Sequence, residues 1–236
     1  MVRLNKYLAE CGVCSRREAD RYIEQGRVKV NGITAQSGMQ VSEEDVVTVS
    51  GKPIRAVEKK VVLAYHKPIG VTCTEKDKFA DKTITEALNY PIRLTYAGRL
   101  DKESTGLIIM TNDGDLIQRM MKGANRHEKE YTVKVNKEIT AEFLEKMSKG
   151  VYLKELEQTT RPCELTQLGK YTFKITITQG LNRQIRRMCV AFGYRVESLR
   201  RDRVLNIELG KLPVGKYREI TGEEREELYR ICGGIK

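Results

Sequence analysis

Asp101 is the first residue whose type and position could support chemistry, because it follows Arg99 by two residues and precedes the apolar segment "TGLIIMT". Gly98 lets the backbone turn, and the apolar segment predicts a buried strand that would hold the aspartate at a rigid edge. A carboxylate beside arginine stays ionised and can be oriented by a bidentate pair. With water excluded, Asp101 could serve as a nucleophile or a base. Local sequence alone also fits a turn-capping aspartate.

Other candidates lie further along the chain. Tyr131 belongs to the alternating segment "EYTVKV", so it could pack in the core or stack on an exposed nucleic-acid base. Arg183, Arg186 and Arg187 fall on neighbouring turns of one predicted helix. Their guanidinium groups could contact phosphate or remain solvated.

The motifs of common cofactor-dependent enzymes are absent from the sequence. No GxGxxG follows a predicted strand, which argues against a nicotinamide site and against a typical methyltransferase loop. No GxxxxGK[ST], GxSxG or HExxH occurs. Cys11 and Cys14 form a lone CxxC without a second pair, and the two histidines are far apart. We therefore expect neither a metal nor a cofactor.

The composition favours a nucleic-acid partner. The chain has 236 residues, is 40% hydrophobic and 32% charged, and carries a formal net charge of +11. Such a surplus favours a polyanion, nucleic acid before an anionic membrane. Residues 180–203 contain seven arginines, no lysine and two acids, which suits forked contacts to phosphate. Without an 18-residue apolar segment or a signal peptide, we expect a soluble cytoplasmic protein with free thiols and no membrane partner.

Residues 1–50 are predicted to form a separate module. The segment "RLNKYLAEC" has the apolar spacing of one helix face, and Ser15 with Glu18 predicts a capping box that begins a second helix. This helix is expected to end at Gly26. The segments "RVKVNG" and "DVVTVSG" are predicted strands. Residues 51–60 are predicted to form a linker.

Residues 61–236 are predicted to form a larger domain with an α+β fold. Strands and helices follow one another without a regular βαβ order, which favours a mixed or antiparallel sheet flanked by helices. Strands are predicted at 61–65, 106–111, 130–135, 164–168, 171–178, 196–201 and 205–208. Helices are predicted at 83–88, 113–121, 140–149, 182–192 and 222–232.

The N-terminal module resembles the S4 RNA-binding domain, named after a small-subunit ribosomal protein. The resemblance is carried by "RLNKYLAECGVCSRREADRYIEQGRVKVNG". It implies that the second helix and the following turn contact the RNA backbone. The residues implied in this contact are Arg3, Lys6, Ser15, Arg16, Arg17, Lys29 and Asn31. Each of these side chains could instead be a solvated surface group, and Ser15 a plain helix cap.

Five segments of the larger domain carry a second resemblance. They are "HKPIGV", "GRLDKESTGLIIMTNDGDL", "HEKEYTV", "QGLNRQIRRM" and "LPVGKYREIT". Together with the N-terminal module, they resemble the RsuA-like family of RNA pseudouridine synthases. These enzymes detach uracil from its sugar, rotate it and rejoin it through carbon five. The resemblance implies that no cofactor or metal is needed.

The same resemblance implies roles for individual residues. Asp101 would be the catalytic aspartate, as nucleophile or base, and Arg186 would pair with it. Tyr131 would stack on the target base. Arg99 would fill the gap left when the nucleotide is flipped out of its stack. The remaining substrate contacts are implied for Asn182, Arg183, Arg187 and Lys67, the last in a supporting or phosphate-binding role.

The expected substrate is structured RNA, with large-subunit ribosomal RNA favoured and small-subunit ribosomal RNA or transfer RNA as alternatives. The protein is expected to be a monomer. Two other functions remain open: a non-catalytic RNA-binding or ribosome-assembly protein, and a different RNA-modifying enzyme such as a methyltransferase. The missing glycine-rich loop argues against the methyltransferase. The joint presence of Asp101, Tyr131 and Arg186 argues against the non-catalytic protein.

Overall fold

The computed structural model describes residues 1–55, 59–75, 79–122 and 126–233. Its backbone divides into two compact units. The first consists of residues 1–61, 90–94 and 112–114, and the second contains the remainder of the chain. Within the described ranges, no helix combines the length and the apolar character that crossing a lipid bilayer requires.

The first unit contains two helices and two small antiparallel sheets. Its elements are β1 (Val2–Arg3), α1 (Leu4–Glu10), α2 (Arg16–Glu24), β2 (Val28–Val30), β3 (Ile33–Thr34), β4 (Gln40–Val41), β5 (Val47–Val49) and β6 (Lys52–Pro53). The Ser15 hydroxyl accepts a hydrogen bond from the backbone N–H of Glu18, so α2 begins as the sequence predicts. Leu4 and Leu8 of α1 pack on Ile23 of α2 in one buried cluster.

The predicted linker is wrong at its beginning, because Lys52–Pro53 form strand β6. Ser50 and Gly51 both have positive φ angles, of 49° and 79°. Two such residues in succession make a tight hairpin turn that continues the twist of the flanking strands. The chain therefore folds back, and Lys52 pairs with Val49 while Pro53 pairs with Thr48.

The larger unit is built around one mixed sheet. Its strands, together with a short separate hairpin of β11 and β12, are β7 (Val62–Lys67), β8 (Thr95–Ala97), β9 (Thr105–Thr111), β10 (Lys129–Val135), β11 (Tyr152–Leu153), β12 (Gln158–Thr159), β13 (Glu164–Gly169), β14 (Thr172–Ile177), β15 (Val196–Val204), β16 (Ile207–Glu208) and β17 (Tyr217–Glu219). The helices of this part of the chain are α3 (Ile84–Leu88), α4 (Gly114–Met121), α5 (Ala141–Ser148), α6 (Gln184–Ala191) and α7 (Gly222–Ile231), with a short 3-10 helix at Lys154–Leu156.

The sheet order is β13-β14-β10-β15-β9-β7-β17, with β8 added to β9 and β16 added to β15. Among the strands of this sheet that the structure describes, β9 and β15 run parallel and the other neighbours run antiparallel. The predicted α+β fold with a mixed sheet is confirmed. Helix α6 begins at Gln184, two residues later than predicted, because Arg183 has a left-handed backbone with a φ of 51°.

Strands β9 and β15 meet along a short parallel junction, which we call the seam. It consists of two residue pairs, Thr105 with Arg200 and Gly106 with Arg201. Gly106 has a φ of +113°, and a Cβ added to it would lie 2.3 Å from the carbonyl oxygen of Arg201. Only glycine fits here without displacing the backbone, so close approach of the two strands depends on this residue.

Candidate active site

A cavity of about 600 Å³ opens in the larger unit, between the loop that precedes β9 and the segment that leads into α6. Strands β10 and β15 contribute further parts of its wall, and residues of β8, β14, α4 and the segment after β7 complete it. Five of the residues singled out in the sequence line it, namely Arg99, Asp101, Tyr131, Asn182 and Arg183. Residues up to 84 positions apart in the sequence therefore face one space.

Asp101 is fixed by its loop and faced by two guanidinium groups. Its side chain is 27% exposed, and its Oδ2 lies 3.6 Å from Nε of Arg186 and 3.8 Å from Nη1 of Arg183. Its backbone carbonyl accepts a hydrogen bond from the N–H of Ser104, at 3.1 Å. These are ion-pair distances rather than short hydrogen bonds, which is common in a catalytic site before substrate binds.

Arg186 reaches Asp101 from α6 and is itself held in place. Its Nη2 donates to the hydroxyl of Ser104 at 3.2 Å, and its Nη1 lies 3.5 Å from the carbonyl of Val196. Its side chain is only 14% exposed. An arginine held at both terminal nitrogens presents its Nε to the carboxylate in a fixed direction.

Arg183 is more exposed and bridges two acids. Its Nη1 donates to Oε2 of Glu103 at 3.0 Å while lying near Asp101. The left-handed backbone at this position turns the side chain away from the helix and towards the loop before β9. Arg183 can therefore contact both Asp101 and an entering substrate.

Lys67 does not contact solvent, so its predicted phosphate contact is wrong. The side chain has no exposed surface, and burial lowers the pKa of its ammonium group. Its Nζ donates to the carbonyl oxygens of Pro68 and Ser104, at 2.9 and 2.8 Å, and lies 3.5 Å from that of Lys102. These contacts match the supporting alternative, because they tie the loop that carries Asp101 to strand β7.

Tyr131 is both a core residue and a cavity residue. It lies in the middle of β10, opposite Arg201 of β15 and Ile175 of β14, and is 7% exposed. The two interpretations offered by its alternating segment are thus compatible. Packing on the neighbouring strands fixes the ring, and the residue also lines the cavity.

Among the cavity residues that were not recognised in the sequence as site residues are Arg201 and Lys129. Arg201 is 2% exposed and its Nε donates to the carbonyl of Leu107 at 2.7 Å. Lys129 donates to the carbonyl of His127 at 3.0 Å. Burial, together with the nearby Arg201, lowers the pKa of Lys129 to about 8. The sequence could have indicated Lys129 as a site residue, because it lies two residues before Tyr131 on the same face of the strand.

Arg187 turns away from the cavity. Its guanidinium donates to the backbone carbonyl of Asn182 at 3.0 Å and to the side-chain oxygen of the same residue at 3.4 Å. It also forms an ion pair with Glu155. The structure therefore leaves Asn182 on the cavity wall and gives Arg187 the contacts of a residue that orients the loop before α6.

The candidate RNA-contacting residues of the first unit are mostly exposed. Those with exposed side chains are Arg3, Arg16, Arg17, Lys29 and Asn31. Lys6 and Ser15 are half-buried. Lys6 faces Glu10 at 3.6 Å along α1.

Asn31 and Ser15 also have local structural roles. The Asn31 amide donates to Asp45 at 2.8 Å, and its oxygen accepts from the backbone N–H of Val46 at 2.9 Å. Ser15 caps α2. For these two residues the contacts in the structure are those of turn and cap, whereas the exposed arginines remain available to a ligand.

In the described part of the chain, no group of three or more His, Cys, Asp and Glu side chains is arranged to hold a metal ion. The arrangement instead offers a partly exposed carboxylate, two guanidinium groups that face it, and an aromatic ring in the same cavity. Such a set can attack or deprotonate a sugar carbon while the ring packs against a flat base.

Comparison with known proteins agrees with this geometry. Residues 61–191 match the family described as RNA pseudouridylate synthase, and residues 2–47 match the S4 domain. The chain is 47% identical, over 98% of its length and 79% of the relative's, to the dual-specificity RNA pseudouridine synthase RluF of Escherichia coli K12. It is 35% identical, over 98% of its length and 97% of the relative's, to the ribosomal large subunit pseudouridine synthase B of Bacillus subtilis. A solved pseudouridylate synthase structure superposes with a TM-score of 0.72 at 31% identity, covering 97% of this chain and 100% of that one.

Proposed function

Because the chain belongs to the RNA pseudouridylate synthase family, we propose that it converts a specific uridine in structured RNA to pseudouridine. The observation that carries the proposal is the position of Asp101 on the cavity wall, 3.6 Å from Arg186 and in the same cavity as Tyr131. A non-catalytic RNA-binding protein would have no need to hold a carboxylate and its paired arginine beside an aromatic ring.

Asp101 starts the reaction in this proposal. Its carboxylate attacks the sugar carbon that bears the base, or removes a proton from the neighbouring sugar carbon. The bond from that carbon to N1 of uracil breaks, and the electron pair leaves with the base. The base rotates, and carbon five bonds to the same sugar carbon while Asp101 is released, either because its ester bond to that carbon breaks or because it returns the proton to the neighbouring carbon. The carbon-five proton then leaves and N1 gains a proton. Arg186 holds the carboxylate in position, and Tyr131 packs against the base.

The uridine must leave its stack before Asp101 can reach the glycosidic bond. Arg99 is exposed at the cavity wall, where a long cationic side chain can occupy the space that the flipped nucleotide vacates. Asn182 and Arg183 border the same opening and contact the substrate there. The flipping step limits the substrate to loops, bulges and other sites whose bases can be exposed.

Ribosomal RNA is the substrate we favour, with the large subunit first. The relatives named above act on RNA, and the name of one specifies the large ribosomal subunit. Small-subunit ribosomal RNA and transfer RNA are the alternatives, and the description of one relative as dual-specificity makes a second RNA worth testing. The exposed basic residues of the S4 domain, Arg3, Arg16, Arg17 and Lys29, would hold the RNA backbone.

We also propose that the protein acts in the cytoplasm as a monomer, without a metal or cofactor. The isomerisation has no net redox change, and one chain supplies every residue that the steps above use. These points are independent of the identity of the uridine.

The proposal is tested by mapping carbodiimide-resistant uridines in ribosomal and transfer RNA. RNA is compared from cells that have the protein, cells that lack it, and cells that carry only Asp101→Asn. We expect one or a few resistant positions to disappear in the second and third samples. Identical maps from all three would contradict the proposed activity, and a position restored by Asp101→Asn would contradict the catalytic role of the carboxylate.

A further inference from the structure

We propose that Lys129 and Arg201 form a cationic receptor in the cavity that holds the detached uracil anion while it rotates. This inference rests on the proposed function. It assigns a role in the reaction to two residues that the steps above leave unused.

The receptor consists of two buried or half-buried cations without an acidic partner. Nη2 of Arg201 is buried and donates no hydrogen bond. Lys129 uses one N–H on the carbonyl of His127, which leaves two donors free for a ligand. In the described part of the chain, neither side chain is paired with a carboxylate. A buried guanidinium nitrogen without an acceptor is costly, so it indicates a ligand that is absent here.

Both cations lie beside the ring that packs against the base. Arg201 is directly opposite Tyr131 in the pairing of β10 and β15, so the two side chains lie on the same face of the sheet. Lys129 is two residues before Tyr131 on that face, about 7 Å along the strand. All three line the cavity that contains Asp101. A base stacked near the tyrosine therefore lies between the carboxylate and the two cations.

The charge balance of the reaction requires such a receptor. When the sugar carbon separates from N1, both electrons of the bond stay on uracil, whose negative charge is spread over N1 and its two carbonyl oxygens. Arg186 is already engaged with Asp101 and Ser104. The other cations of the wall, Arg99, Lys102 and Arg183, are exposed on the loops. Lys129 and Arg201 lie on the strands beside Tyr131, where they can stabilise charge that develops on the base.

The rotation of the detached uracil is compatible with binding by Lys129 and Arg201. Uracil exchanges N1 for carbon five by turning about the axis through N3 and carbon six, and this motion also exchanges the two carbonyl groups. The same two cations therefore face a carbonyl oxygen before and after the turn. A receptor made of charge rather than of base-specific hydrogen bonds can hold both orientations.

Phosphate is the other anion that could fit, and its expected position is different. Phosphates belong to the RNA chain and stay near the mouth, where Arg99 and Arg183 are exposed. Arg201 is almost completely buried, and burial lowers the pKa of Lys129 to about 8. A flat base can reach this depth with little desolvation, whereas a phosphate would lose its hydration shell.

The test uses the full chain with Lys129→Met, Lys129→Gln and Lys129→Arg, and with Lys134→Met as the matched control. Lys134 is on the same strand but on the opposite, exposed face, where it pairs with Glu197. Single-turnover rates at saturating RNA are measured for substrates that carry uridine or 5-fluorouridine at the target site, together with RNA affinity at several salt concentrations. Glycosidic cleavage of 5-fluorouridine is followed as loss of the starting nucleoside, because fluorine replaces the carbon-five proton.

We expect both neutral variants to lose about 100-fold in rate on uridine, with affinity and its salt dependence unchanged. Lys129→Arg and Lys134→Met retain the rate within a few-fold. On 5-fluorouridine the loss is smaller, because fluorine stabilises the leaving anion and makes the receptor less necessary. The inference is overturned if Lys129→Met or Lys129→Gln folds and keeps the wild-type rate. It is also overturned if the rate of either variant falls by the same factor on uridine and on 5-fluorouridine.

A neutral variant that keeps the rate but binds RNA more weakly, with a reduced salt dependence, overturns the inference in favour of a phosphate contact. Wild-type protein that forms no pseudouridine contradicts the proposed function instead. The two failures are therefore distinguishable. Thermal unfolding of each variant separates a loss of chemistry from a loss of fold.

Discussion

The Nε of Arg186 lies 3.6 Å from Oδ2 of Asp101 and donates no hydrogen bond, although it is buried. Ser104 links both partners, because its hydroxyl accepts from Arg186 and its N–H donates to the backbone carbonyl of Asp101. Lys67 holds the carbonyl of the same serine. A small inward movement of the carboxylate would complete the missing hydrogen bond, so the pair is arranged to tighten when substrate binds.

Replacing Asp101 by asparagine removes the negative charge and keeps the shape. We expect pseudouridine formation to fall by at least about 10⁴-fold, because the amide can neither attack the sugar nor accept its proton. RNA affinity should change little, since the carboxylate is not needed for phosphate contact. Tritium release from carbon five measures the rate, and filter binding measures the affinity. Turnover close to the wild-type rate would remove Asp101 from the catalytic role.

Replacing Arg186 by methionine leaves Asp101 without its buried cation. We expect the rate at saturating RNA to fall about 10- to 100-fold, corresponding to the loss of a charge-assisted interaction worth about 1.5–3 kcal/mol. Arg195→Met is the matched control, because Arg195 is exposed and outside the cavity wall. Equal rates for the two variants would contradict the ion-pair role.

The activity should fall as the pH rises through about 8 if the charged form of Lys129 is required. Burial first, and Arg201 second, lower the pKa of this lysine from 10.5 to about 8 in the free protein. The ammonium is therefore present below that pH and lost above it. Arg201 is the charged group that faces it from the neighbouring strand. The pH profile of kcat/KM checks this, and Lys129→Arg should shift the alkaline limb to higher pH. An unchanged limb in that variant would exclude the lysine as its source.

Gly106→Ala should destabilise the larger unit. The added Cβ would lie 2.3 Å from the backbone oxygen of Arg201, and the φ of +113° is itself unfavourable for alanine. We expect a loss of about 3 kcal/mol or more in the free energy of unfolding. Gly210→Ala, with a φ of +54° and no atom within 4 Å of the added Cβ, should lose about 1 kcal/mol. Urea unfolding followed by circular dichroism gives both values, and equal losses would rule out the steric contact.

The exposed arginines of α2 should contribute salt-dependent RNA affinity. The double variant Arg16→Gln/Arg17→Gln is expected to weaken binding and to reduce the slope of log K against log salt by about 0.7–0.9 for each phosphate that the protein no longer neutralises. The single-turnover rate at saturating RNA should stay unchanged. Lys146→Gln/Lys149→Gln, at the C-terminal end of α5, is the control, because both lysines are exposed. The same reduction in slope for both double variants would argue against a defined binding face on the S4 domain.

Sequence patterns identified the fold and family but not every contact of the site. The apolar segment after Asp101 predicted a strand, and the structure has β9 there. The phosphate-binding alternative for Lys67 does not fit its burial. That burial could not be foreseen from the sequence, because it depends on β7, β9 and the intervening loop meeting in space. Arg201 appeared only as one of seven arginines, since no local pattern shows that a strand residue faces inward to a cavity. The roles of Asp101, Tyr131 and Arg186 remain predictions.

The predicted linker and the start of α6 show a second limit of prediction from sequence, which concerns the boundaries of the elements. At both places the chain reverses through non-glycine residues with positive φ, Ser50 and Arg183. Residue preferences predict such conformations mainly for glycine and asparagine. Tertiary contacts determine them here, so the boundaries differed from the predictions by a few residues while the elements themselves were recognised.

The seam has a consequence for the breadth of substrates that the enzyme could accept. Asp101 precedes β9, whereas Tyr131 lies on β10, which pairs with β15. The two groups are therefore connected through the two residue pairs that join β9 to β15. The distance between these two groups is therefore set where Gly106 meets Arg201, a contact so close that a side chain at position 106 would displace the backbone. A synthase for bulkier nucleosides would therefore be engineered at other positions, because a side chain at position 106 costs stability and Arg201 itself lines the cavity.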